Sequence, residues 1–133
     1  MDLALALVDY CEAIGISVET YVSDACFLRG KLAKHIESYE KSWVGRLKLN
    51  CVVYHKNQRT SVKEFGKTLP MKDFREVLGK SYWVCARTLE VNKLGRVRIV
   101  VCYDNKDLEG EPVYLATNRL HWDAGRVVLR YSL

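Results

Sequence analysis

The sequence lacks the short motifs that mark the common enzyme and metal-binding classes. It contains no Walker loop, no G-x-G-x-x-G motif, no G-x-S-x-G motif and no C-x-x-C pair. None of its three histidines stands at zinc-ligand spacing from a cysteine. These absences argue against a motif-bearing nucleotide-binding protein, a serine hydrolase of that type and a zinc finger.

Long apolar runs and export features are also missing. No run reaches the length of a membrane span, and the apolar stretch at residues 3–8 lacks the basic flank of a signal peptide. The five cysteines are scattered, which is typical of reduced thiols in a cytoplasmic protein, and we expect them to be small core hydrophobes. A chain of 133 residues with 49% hydrophobic content normally forms one domain with a real core.

Positive charge is concentrated in the middle of the chain, whose net formal charge is +5. Residues 1–28 carry five acids and no Lys or Arg, whereas residues 41–98 carry fourteen Lys or Arg against four acids. Residues 99–133 are nearly balanced. This segregation favours a polyanionic partner, most simply nucleic acid, although a basic soluble surface often looks the same.

Apolar periodicity predicts a helix–strand–helix–strand order in the first part of the chain. The opening helix has an apolar stripe of Leu3, Leu7, Val8, Cys11 and Ile14, and Gly15 suits the position after its end. Strands are predicted over residues 18–22 and 43–49, with a helix over residues 28–41 between them. A crossover of this length favours parallel pairing of the two strands.

A short helix and a group of strands are predicted next. Residues 51–54 are expected to extend the preceding strand, and residues 55–60 to form a polar, basic loop. Ser61 begins a helix to about Leu69, with Glu64 completing a capping box.

The last third is predicted to be a hairpin, a strand and a helix. Residues 82–91 and 96–103 alternate around a turn, as expected for a β-hairpin. A further strand is predicted over residues 113–117, and a final helix begins near Asp123.

Asp24 follows the first predicted strand and precedes the next helix. A carboxylate at the end of a strand in an α/β layer lies where such folds place ligands and metals. The alternative is that Asp24 caps the following helix, which geometry alone favours because Asp is a preferred N-cap residue.

Several segments, in order, resemble the catalytic domain of bacterial and archaeal insertion-sequence DDE transposases. The matching residues are Tyr21-Val-Ser-Asp24-Ala-Cys-Phe27, and Val113-Tyr-Leu-Ala-Thr-Asn118 followed by a helix with Val128-Leu-Arg-Tyr131-Ser-Leu133. The resemblance implies an α/β (α+β) fold, with a truncated ribonuclease H-like core and a β-rich insertion. Residues 1–50 would be the partial core, residues 51–118 the basic insertion and residues 119–133 the start of the final core helix.

In that family three acids hold two divalent metals, Mg²⁺ or Mn²⁺. The resemblance makes Asp24 the second acid and metal ligand, and Tyr131 the first residue of a signature whose Arg, Glu and Lys are absent from this sequence. The first acid belongs to a strand before the opening helix. The resemblance therefore predicts the middle of a catalytic domain that binds metal at most weakly and cuts no DNA alone.

DNA binding needs only Lys and Arg on a shared face, so we expect it to outlast catalysis. The candidates are Arg46, Lys48, Lys56, Arg59, Lys63, Lys67, Arg96 and Arg98. Trp83 and Trp122 are candidates for stacking on an extruded base, but core packing is the favoured role for both.

Three interpretations stay open. The chain is an incomplete transposase domain, a non-catalytic module of the same fold that binds DNA or a transposase, or a fold-stable domain with no nucleic-acid role. An exposed sheet edge would also favour a homodimer or an exchange of elements between chains.

Overall fold

The computed structural model describes residues 3–13, 20–23, 30–77 and 81–132. That part of the chain contains four α-helices and eight strands. They are α1 (Leu3–Ala13), β1 (Thr20–Ser23), α2 (Gly30–Glu37), β2 (Ser42–Arg46), β3 (Val52–His55), β4 (Gln58–Ser61), α3 (Val62–Lys67), β5 (Arg75–Glu76), β6 (Trp83–Val91), β7 (Gly95–Tyr103), β8 (Val113–Thr117) and α4 (Ala124–Ser132). No helix in these ranges is long and apolar enough to cross a membrane.

The strands form one open sheet in a mixed α/β fold. The sheet order is β1-β2-β8-β7-β6-β3-β4, and β5 pairs with the starting end of β6. β1 and β2 run parallel, with Thr20 opposite Ser42. The predicted parallel pair is therefore confirmed. All other neighbouring strands in the sheet are antiparallel.

Helices pack on both faces of this sheet. α1, α2 and α3 contribute to one apolar cluster with Trp43 and Ile99, whereas α4 contributes to another with Val44 and Leu115. We call the second side of the sheet the α4 face. β2 is buried on both sides because it lies between these two layers, which is why its sequence is apolar at consecutive positions.

The predicted hairpin and helix cap are confirmed. β6 and β7 pair along their whole lengths around a turn in which Lys93 and Gly95 have positive φ values of 69° and 81°. The Ser61 hydroxyl accepts a hydrogen bond from the backbone nitrogen of Glu64 at 3.1 Å, which makes Ser61 the N-cap. The Glu64 carboxylate accepts from Lys67 Nζ at 3.3 Å, so only the Ser61 half of the predicted capping box is seen in the described part of the chain. α3 ends at Lys67, slightly earlier than predicted.

Residues 51–60 differ from the prediction. They do not extend β2 and do not form a loop, but make the β3–β4 hairpin at the far end of the sheet, where Val53 pairs with Val91. Lys56 and Asn57 both have left-handed backbones, with φ of 50° and 64°. Two such residues close a tight hairpin, and Asn tolerates this conformation better than most side chains.

Some details of the first two helices are also corrected. α1 buries Leu5 and Val8, but Leu7 is 57% exposed, so the predicted stripe is wrong at that position. Ile14 and Gly15 lie outside the described residues. α2 ends at Glu37, because the chain turns through Glu40 with a φ of 60°.

Two cysteines confirm the predicted core role. Cys85 and Cys102 are buried, and burial raises the pKa of Cys102 to about 11. Cys11 and Cys51 are half-buried free thiols, and Cys26 lies outside the described residues.

Candidate nucleic-acid interface

The predicted phosphate-binding residues are divided between two sides of the molecule. The arginines lie on the α4 face of the sheet, as their register with α4-face residues shows. They are Arg46, Arg59, Arg96 and Arg98. Arg59 lies on β4, and Arg96 and Arg98 lie on β7. Arg46 lies on β2, nearer the other end of the sheet.

The predicted lysines lie elsewhere. Lys48 follows β2, and Lys56 lies in the β3–β4 turn. Lys63 and Lys67 lie on α3, whose apolar side joins the other face of the sheet. Lys63 pairs with Glu111 at 3.7 Å and Lys67 with Glu64 at 3.3 Å. These acids offset the charge, so α3 is a weaker phosphate-binding surface than the sequence suggests.

α4 carries two arginines that the sequence patterns did not single out. The helix begins after Asp123, whose carboxylate accepts a hydrogen bond from the backbone nitrogen of Arg126 at 2.8 Å. Arg130 lies one turn beyond Arg126. Neither side chain has an ion-pair partner among the described residues. Their guanidinium groups can therefore bind an external anion.

A basic cleft of about 360 Å³ lies where α4 begins, beside the first residues of β1 and β2. Its basic side chains are Lys41, Arg119, His121, Arg126 and Arg130. Glu40 is the acid in its lining. The balance is strongly positive, which suits a phosphate-bearing ligand.

Hydrogen bonds between β2 and the segment after β8 fix the base of this cleft. The Asn118 side chain accepts from the backbone nitrogen of Trp43 at 2.9 Å and donates to the carbonyl of Lys41 at 3.1 Å. The Arg119 guanidinium donates to the Ser42 hydroxyl and, at 3.3 Å, to the Glu40 carbonyl. Arg119 is thus held in place before any ligand arrives, which lowers the entropic cost of binding.

A second groove, of about 760 Å³, lies on the other side of α4. Val84, Ala86 and Leu129 provide apolar lining. Positive charge comes from Arg75, Arg98, Arg126 and Arg130. The acids Asp73, Glu76 and Asp123 offset that charge. The basic cleft is therefore the better candidate for a polyanion, and Arg126 and Arg130 form the ridge between the two concavities.

Of the two residues to which the resemblance assigns a catalytic role, the structure describes Tyr131 but not Asp24. Asp24 lies outside the described residues, so its position stays a prediction. Tyr131 is half-buried on α4, where it packs against the apolar cluster of the α4 face. In the described ranges no three His, Cys, Asp or Glu side chains gather as a metal would require.

Core packing is the role that the structure gives Trp122. Its side chain is 5% exposed and belongs to the α4-face cluster. Trp83 is half-buried against the opposite cluster. Trp122 is not positioned to stack on an extruded base.

A separate polar cluster joins α1 to α2. The Asp9 carboxylate is 2.7 Å from His35 Nε2 and accepts a hydrogen bond from the Tyr39 hydroxyl at 2.6 Å. These two hydrogen bonds lower the pKa of Asp9, Tyr39 having the larger effect. Nearby, the Tyr21 hydroxyl donates to Glu12 at 2.9 Å, and burial raises the pKa of Tyr21. These contacts attach α1 to the sheet layer.

No family model matches the chain, and no curated protein matches it. Function is therefore inferred from the basic cleft and from the arrangement of β1, β2 and α4.

Proposed function

We propose that the chain is part of a DDE transposase-type catalytic domain with a ribonuclease H-like core. On its own it binds DNA through the basic cleft and does not cut it. The four cysteines of the described residues are free thiols, which fits the cytoplasm as its setting, on the DNA of the nucleoid.

The position of α4 supports the family assignment. The resemblance puts the second acid just after β1 and the third acid beyond Tyr131 on the final helix. A centre that unites these acids needs that helix to pack beside β1. α4 does contact β1, on the face of the sheet opposite α1 and α2.

The strands between β2 and α4 also suit the assignment. In the family a β-rich insertion separates the last core strand from the last helix. Here β3 to β8 occupy that interval, and β8 pairs with β2. The proposed insertion would therefore continue the core sheet.

Strand cleavage is not proposed for this chain. Two-metal phosphodiester chemistry uses divalent ions about 4 Å apart, and Mg²⁺ requires several oxygen ligands in near-octahedral geometry. By the resemblance, these 133 residues contain one of the three acids. Asp24 would contribute a single carboxylate to such a centre.

The single observation that carries DNA binding is the convergence of five basic side chains on one cleft. Arg119 is held in place by β2, and Arg126 and Arg130 lie one turn apart on α4, about 6 Å along the helix axis. Guanidinium groups match phosphate oxygens in a bidentate geometry. Contacts of this kind position a protein on the DNA backbone without reading its sequence.

Binding of labelled duplex DNA across a salt series tests this function. Replacing both Arg126 and Arg130 by Gln should weaken binding and reduce the slope of log affinity against log salt by about 2, because two phosphate contacts are lost. The matched control replaces Lys63 and Lys67 by Gln, which removes the same charge from α3. Equal effects of the two double variants, or a flat salt response of the unmodified protein, would contradict the cleft assignment.

A further inference from the structure

A row of four side chains crosses the part of the α4 face that lies away from α4. Tyr54 on β3 stands opposite Arg59 on β4 and opposite Glu90 on β6. Glu90 in turn stands opposite Arg96 on β7. Residues directly opposite each other in a sheet share a face, with Cβ atoms about 5 Å apart. Arg98, two residues along β7 from Arg96, flanks the row on the same face.

All four members of the row are exposed, and Tyr54 is 37% exposed. Beneath them the sheet is packed against the core, because the neighbouring Val53 and Val91 are buried on the other face. Within the described ranges, Arg59 and Arg96 have no ion pair, although Glu90 faces Arg96 across the ladder. The row therefore presents an aromatic ring and two guanidinium groups to solvent.

This combination of groups indicates the chemistry of a partner. Three arginines against one glutamate make the surface positive, which suits phosphate. An exposed tyrosine on a flat sheet is a stacking surface for an unpaired base, and every base has a suitable π-face. Bases in a duplex are already stacked on one another, so a duplex offers no ring to Tyr54. Glu90, next to Tyr54, repels phosphate. The phosphates of a bound strand would therefore contact the arginines at the two ends of the row.

We propose that Arg59, Tyr54, Glu90 and Arg96, together with Arg98, form a platform for single-stranded nucleic acid. A base stacks on Tyr54, and the flanking phosphates contact Arg59 and Arg96. Because the strand would belong to DNA bound by the same chain, the platform rests on the proposed function. It is separate from the basic cleft, since the two share no residue.

Fluorescence anisotropy with a labelled oligothymidine and a duplex of equal length tests the platform. Tyr54→Leu should weaken binding of the oligothymidine about tenfold or more and leave duplex binding unchanged, because stacking is lost. Tyr54→Phe keeps the ring and should retain the affinity. Tyr10→Leu, which removes an exposed tyrosine from α1, is the matched control and should have no effect.

The outcomes separate the platform from the basic cleft. Equal single-strand affinity of the Tyr54→Leu and Tyr10→Leu variants, with both proteins folded by circular dichroism, would overturn the platform. Single-strand binding that depends on Tyr54, without any duplex binding, would support the platform and overturn the cleft. Duplex binding that depends on Arg126 and Arg130, without single-strand binding, would support the cleft and overturn the platform.

Discussion

The guanidinium carbon of Arg126 lies 4.4 Å from the centre of the Trp122 ring, so a buried aromatic supports a ridge residue of the basic cleft. The Trp122 carbonyl also accepts a hydrogen bond from Arg98 Nε at 3.2 Å. Arg98 and Arg126 line the groove on the far side of α4. Trp122 therefore positions side chains around both concavities while its own ring packs in the core.

Replacing Trp122 by Ala should lower the free energy of unfolding by about 3–5 kcal/mol, because a buried aromatic is lost and a cavity remains. Replacing Arg126 by Ala should cost only about 0.5–1 kcal/mol, the usual size of an exposed cation–π contact. Urea denaturation of the two variants measures both values. Similar costs for the two changes would mean that the Trp122 ring contributes little packing.

A glycine-to-alanine change should have opposite effects in two helices. At Gly66 a Cβ atom would lie 2.9 Å from a ring carbon of Tyr114, which is buried and cannot move away easily. We expect Gly66→Ala to destabilise the protein by about 1–3 kcal/mol despite the better helix propensity of Ala.

At Gly125 the nearest atom is a side-chain oxygen of Asp123 at 3.4 Å, an ordinary contact. Gly125→Ala should therefore stabilise the protein by up to about 1 kcal/mol. Thermal unfolding of both variants checks the pair. Stabilisation by Ala at position 66 would show that the Tyr114 ring moves aside.

The elements predicted well are those with local signals. The β6–β7 hairpin has alternating apolar and polar residues on both sides of the turn from Asn92 to Gly95, and the Ser61 cap needs only its own helix. The β3–β4 hairpin was missed because its turn, Lys56-Asn57, lacks glycine and sits in a polar stretch. The place of β8 between β2 and β7 joins distant parts of the chain, and no local pattern encodes it.

The basic cleft was missed for a similar reason. Sequence reasoning followed the charge excess in residues 41–98 and passed over the nearly balanced residues 99–133. Folding brings Arg119, Arg126 and Arg130 from that second region to Lys41. Asp123 caps α4 instead of lining the cleft, and Glu40 is the acid that remains in its lining. A count of charges along the sequence does not show which charged side chains folding brings together.

The Asp9 contact with Tyr39 and His35 predicts a pH-dependent contribution to stability. A carboxyl whose pKa is lower in the folded state contributes stability above its unfolded pKa of about 4, and loses it as the pH falls through the folded pKa. Asp9→Asn should therefore be less stable than the unmodified protein near neutral pH. This difference should shrink as the pH falls below about 4.

Urea midpoints measured from neutral to acidic pH test this dependence. Asp107→Asn is the control, because Asp107 is exposed and has no side-chain partner in the described part of the chain. It should follow the unmodified protein throughout. A difference between Asp9→Asn and the unmodified protein that persists undiminished in acid would show that charge on Asp9 is not what holds α1 to α2.

The outer edge of β1 predicts association between copies of the chain. Among the described strands β1 pairs only with β2, and its Val22 side chain is 48% exposed. Unpaired backbone groups on an apolar edge recruit further strands, and a lysine on the edge opposes this.

We propose a homodimer through β1. The sedimentation coefficient of the unmodified protein should rise with concentration, and that of the Val22→Lys variant should stay at the monomer value. Leu7→Lys, at an exposed apolar position of α1, should leave the dimer intact. A monomer at all concentrations, or dissociation caused equally by both lysines, would contradict pairing through this edge.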